Sequence, residues 1–102
     1  MALSFITTRV NFPSTKGSIQ SDEGTASFPS MVRVADASVK GFQIAYTNSD
    51  NEIKQLEIGI NNITIVGTGV TFWVNLLLRD NSGNIDDPFQ GWVDVLVTAD
   101  VA

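Results

Sequence analysis

The chain has 102 residues, enough for one domain, with 43% hydrophobic and 17% charged residues and a net charge of −5. It contains no cysteine and no histidine, which excludes disulfides, thiolate zinc sites and the commonest general base. Its six cations (Arg9, Lys16, Arg33, Lys40, Lys54 and Arg79) are scattered, a poor match to a phosphate backbone or an anionic membrane surface.

Residues 2–12 alternate well enough for a short strand, with Leu3, Phe5 and Val10 as its larger apolar members and Phe12 before the break at Pro13. Residues 13–30 are rich in Ser, Thr, Gly and Pro and read as a flexible linker. The N-terminus has neither a basic segment nor an apolar run of signal-peptide length. These features divide the chain into an arm with its linker (residues 1–30) and a β-domain (residues 31–102).

In the second part, Val32 and Val34 are expected on one face of a strand, followed by a second strand with Phe42, Ile44 and Tyr46 aligned. Asn48 to Asn51 has turn composition. Leu56, Ile58 and Ile60 then align, and Asn61-Asn62 is expected to bend or bulge the chain before Ile63 and Ile65. Gly67 to Gly69 turns into the longest strand, where Val70, Phe72, Val74, Leu76 and Leu78 face one way and Trp73 and Leu77 the other. Val93, Val95 and Val97 alternate with Trp92, Asp94 and Leu96 in the last strand. Apolar residues on both sides mark these two strands as central. Without a helical period anywhere, the fold expected is an all-β antiparallel sandwich, or a jelly-roll-like barrel, of about seven or eight strands.

Four oxygen-bearing residues, Asp80, Ser82, Asn84 and Asp86, alternate as they would in a calcium loop. Glycine falls at the fourth position rather than the sixth, however, and Gly91 stands where a bidentate Glu belongs, so the stretch reads first as a long hairpin connection. No cofactor is expected. Asp86 and Asp87 are adjacent and point opposite ways in an extended chain, which argues against a glycosidase pair. No nucleophile–base constellation can be assembled, and the chain reads as non-enzymatic. Asn62-Ile63-Thr64 is an N-glycosylation sequon.

Low charge, a thin cysteine-free core and a separable strand-forming arm point to self-association. The leading expectation is a structural subunit of a fibril, pilus-like filament or homo-oligomer. Leu3, Phe5, Val10 and Phe12 would add a strand to a neighbour, outside the cell or at its surface. The alternative is a lectin-like sandwich in which Trp73, Trp92, Tyr46 and Phe89 stack on glycans, with Leu77 a further interface candidate and polar contacts from the loops near 48–51 and 80–89. The segment GFQIAYTNSDNEIKQLEIGI (residues 41–60) resembles the closing strands of H-type lectins, a resemblance that implies a small trimeric sandwich binding N-acetylgalactosamine.

Overall fold

The computed structural model describes residues 2–15, 19–46, 53–80 and 89–102. Six strands follow one another: β1 (Ala2–Thr15), β2 (Gln20–Ser27), β3 (Val32–Tyr46), β4 (Ile53–Val66), β5 (Gly69–Asp80) and β6 (Phe89–Val101). They form two antiparallel three-stranded sheets, sheet A in the order β1-β6-β3 and sheet B in the order β2-β5-β4. No helix occurs among the described residues, and hence none long and apolar enough to cross a membrane.

The central strands are β5 and β6, as their two-sided apolar patterns imply. Val70, Phe72, Val74, Leu76 and Leu78 from β5 meet Val93, Val95, Val97 and Ala99 from β6, all essentially free of solvent. Each such fully buried Val, Leu or Phe contributes on the order of 1.5–3 kcal/mol relative to exposure. Gln20 closes one end of the sandwich, its Nε2 donating across the sheets to the Phe89 carbonyl at 3.0 Å. Gly24 makes room for the core: a Cβ there would lie 2.5 Å from the buried Phe72 ring.

The strand number is six, below the expected seven or eight. One pair of expected strands is a single long strand. The strands expected around 31–39 and from residue 41 on are joined in β3, which ends at Tyr46 and absorbs register shifts between Val32 and Val34 and between Val39 and Gly41. The bend or bulge expected at Asn61-Asn62 is a bulge within β4, whose register shift between Asn61 and Thr64 coincides with Asn62 at φ 51°. A bulge inserts a residue without ending a strand, so a break in alternation does not mark a boundary. The first shift in β3 also places Val32 inward and Val34 outward, reversing the face expected for Val34.

The segment expected to be a linker supplies β2, paired with β5 from Gln20↔Leu76 to Ser27↔Gly69. The first strand is not separate either. Residues Ala2 to Phe12 pair without interruption with β6 of the same chain, Ala2↔Val101 to Phe12↔Gly91. Residues 2–30 therefore contribute an edge strand to each sheet, and Val10, Phe12, Ala26 and Phe28 belong to the common core. The polar composition of β2 suits an edge whose outer side faces water.

Candidate interaction surface

On the outer face of sheet A the register sets residues from three strands in rows. Arg9 and Asp94 are directly opposed, and the guanidinium holds the carboxylate through two donors, Nε to Oδ1 at 2.8 Å and an Nη to Oδ2 at 3.1 Å. The same guanidinium lies 3.9 Å from the centre of the Trp92 ring. Trp92 Nε1 donates to Gln43 Oε1 at 3.0 Å, and Lys40 Nζ donates to Thr7 Oγ1 at 3.1 Å. These contacts bind all three strands of the sheet together.

The Arg9 hydrogen bond lowers the Asp94 pKa, desolvation opposes it, and the charges of Arg9 and Lys40 add to the lowering. A depressed carboxyl stabilises the fold above its unfolded pKa, and that contribution is lost as pH falls through the folded value. The melting-temperature gap between native protein and Asp94→Asn is therefore expected to shrink on acidification below about pH 4. Thermal melts at a series of pH values read this directly; a gap that stays constant would remove the ion pair from the stability of the sheet.

Toward the chain termini the same face turns apolar. Leu3 is 69% exposed, Phe5 59% and Val34 62%, with Met31 exposed nearby. Leu3 and Val34 flank Asp100, and Phe5 lies beside Thr98. The apolar exposure thus sits on β1 and β3 rather than on β6, whose outward residues are mostly polar.

The outer face of sheet B is different. Trp73 is 38% exposed at the middle of β5, opposite Glu23 on β2 and Asn61 on β4. Ser21 Oγ donates to Asn75 Oδ1 at 2.5 Å in the next row, where Gly59 leaves open space. An open groove of about 550 Å³ runs beside it, lined in part by Ile19, Leu56, Glu57, Gly59 and Asn75. Trp92 is braced and hydrogen-bonded; among the described residues Trp73 has no such partner.

The residues expected to make contacts separate accordingly. Leu3 and Phe5 are exposed, but Val10 and Phe12 are each 4% exposed and belong to the core, because odd and even positions of β1 face opposite ways. Phe89 is fully buried and so leaves the surface, whereas Leu77, though 4% exposed, forms part of the wall of the sheet B groove. Tyr46 packs against the core, leaving Trp73 as the open aromatic and Trp92 as a half-covered one. Asn62 is exposed on its bulge, and the sequon is accessible there. The calcium candidates Ser82, Asn84 and Asp86 and the turn at 48–51 lie outside the described residues, and Asp80 ends β5. Among the described residues no group of three or more acidic side chains is placed to hold a metal. Sequence reasoning missed Arg9, Asp94 and Gln43, whose association depends on cross-strand register.

No protein-family model, curated protein or solved structure matches the chain.

Proposed function

We propose that this chain is a non-enzymatic structural subunit that assembles with copies of itself. One observation carries the reading: Leu3, Phe5, Met31 and Val34 are exposed together at one end of sheet A. Large apolar side chains grouped in this way mark association surfaces in small soluble domains. Their neighbours fit the same role, since a braced Arg–Trp–Asp cluster beside an apolar patch resembles the polar side of a protein interface. Whether copies close into a ring or extend into a filament depends on the symmetry of the contact. Sedimentation velocity over a concentration series tests the proposal, with negative-stain microscopy to distinguish rings from filaments. A concentration-dependent oligomer is expected; a strict monomer at about 100 μM, well above a micromolar Kd, would sink it.

A second reading, glycan binding, is favoured by Trp73 specifically. A half-exposed indole whose N–H is unengaged among the described residues, with Glu23, Asn61 and Asn75 as its neighbours in register, offers one apolar face within a field of hydrogen-bonding groups. Neutral, hydroxyl-rich oligosaccharides present the complement, C–H faces edged by hydroxyls. Trp73→Ala is expected to weaken binding of such oligosaccharides about tenfold in titration calorimetry and to leave sedimentation unchanged. If the native chain binds none of a panel of neutral hexasaccharides, this reading falls.

A further inference from the structure

Each sheet has two open edges, β1 and β3 in sheet A and β2 and β4 in sheet B. Natural sheets block such edges with bulges, charges or short strands, because unpaired N–H and C=O groups template pairing with another chain. Three of the four are blocked in these ways. β3 is bulged twice and carries Arg33, Asp36 and Lys40. β4 is shifted at Asn61/Thr64 and carries Glu57. β2 has only eight residues, with Asp22 and Glu23 among them.

Among the described residues β1 is the least protected, because its one irregularity, the register shift between Phe12 and Thr15 around Pro13, lies at its end. Its pairing with β6 is unbroken from Ala2 to Phe12, and no register shift occurs before Pro13. Its one charged residue, Arg9, is turned onto β6 in the ion pair with Asp94 and over Trp92, and the only cation brought to the strand from elsewhere among the described residues is Lys40, which reaches across from β3 to Thr7. Leu3 and Phe5 stand exposed on its outward face.

Resting on the self-association reading, we propose that the partner at this edge is a second copy of the chain. The two β1 strands pair antiparallel about a two-fold axis, so that sheet A continues across both copies. An antiparallel strand is its own complement under two-fold symmetry, and the same unprotected edge is presented by both partners. Residues 2–12 extend about 37 Å at strand spacing, long enough for a continuous ladder along the edge, and one sheet layer about 10 Å thick gives a contact of roughly 370 Å² per copy, at the small end for a specific interface.

Register follows from the pleat. Outward residues must face outward residues, and the register that pairs all of residues 2–12 has its axis at Thr7. Thr7 then faces Thr7 of the second copy, a favourable cross-strand pair. Phe5 faces the other copy's Arg9 and Leu3 its Asn11. The Lys40 ammonium held at Thr7 approaches its symmetry mate, a repulsion that salt screens over a Debye length of about 8 Å.

The native chain has no cysteine, so a single introduced thiol reports on its own position. Thr7 is exposed, and Thr7→Cys is compatible with the fold. Under mild oxidation Thr7→Cys is expected to form a disulfide-linked dimer in near-quantitative yield, because opposed residues lie within disulfide reach. Leu96→Cys, one strand inward on the same face, is expected to remain uncrosslinked. An oligomer by sedimentation with no crosslink at Thr7, or with preferential crosslinking at Leu96, would overturn edge pairing while leaving self-association standing. A native chain that sediments as a monomer would overturn both.

Discussion

Gly91→Ala is expected to be among the most damaging single-methyl changes in this chain, costing about 3 kcal/mol and lowering the melting temperature by roughly 15 °C. Gly91 lies in β6 between Phe12 of β1 and Ile44 of β3. A Cβ there would collide with the Gln43 carbonyl oxygen and crowd the Ile44 Cα, both main-chain groups. A flexible side chain could swing aside, but the backbone of β3 can move only by loosening its pairing with β6. Gln43 also accepts the Trp92 indole hydrogen bond, and the strain would reach the outer face. Gly59→Ala is the matched control, since nothing lies within 4 Å of the added carbon. Chemical denaturation of the two variants checks the claim; equal midpoints would mean that β3 and β6 do not approach so closely at this row.

The double substitution Leu3→Ser, Phe5→Ser is expected to weaken self-association more than 100-fold and to change monomer stability little. Both side chains are more than half exposed in the single chain, where surface substitutions usually stay within about 0.5 kcal/mol. At an interface each would lose its burial, about 1.5–3 kcal/mol per large apolar side chain. Two such losses exceed the roughly 2.8 kcal/mol that corresponds to 100-fold in Kd. Val10→Ser is the contrast. Val10 is on the other face of the same strand, 4% exposed, and its loss should unfold the monomer rather than dissociate it. Sedimentation paired with thermal melts separates these effects. A double variant that still assembles would move the contact elsewhere, for example to the β3 and β4 side where Phe42 and Leu56 are exposed.

Much of the core was legible without coordinates. Val70 to Leu78 and Val93 to Val97 alternate strictly, and in a two-layer sandwich alternation is burial. The bulge at Asn61-Asn62 could also be anticipated, because Asn tolerates positive φ better than other non-glycine residues. The failures have a common cause. Val34 takes the other face, and the two strands expected within β3 are continuous, because an extra residue in a pleat is silent in composition and shifts every side chain beyond it. Residues 20–27 have the composition of a linker because an edge strand open to water needs few apolar residues.

The sequence by itself determined the all-β class, the identity of the central strands, the inward faces of β5 and β6, and the absence of thiol and imidazole chemistry. These depend on period-two patterning and residue inventory, which are local properties of the chain. Only the tertiary structure decided that β1 and β2 are edges of two different sheets and that Leu3 and Phe5 face outward where Val10 and Phe12 face inward. It also decided that Arg9 meets Asp94 eighty-five residues away, over Trp92. Such pairings are long-range, and each is set by a register that a single inserted residue can shift.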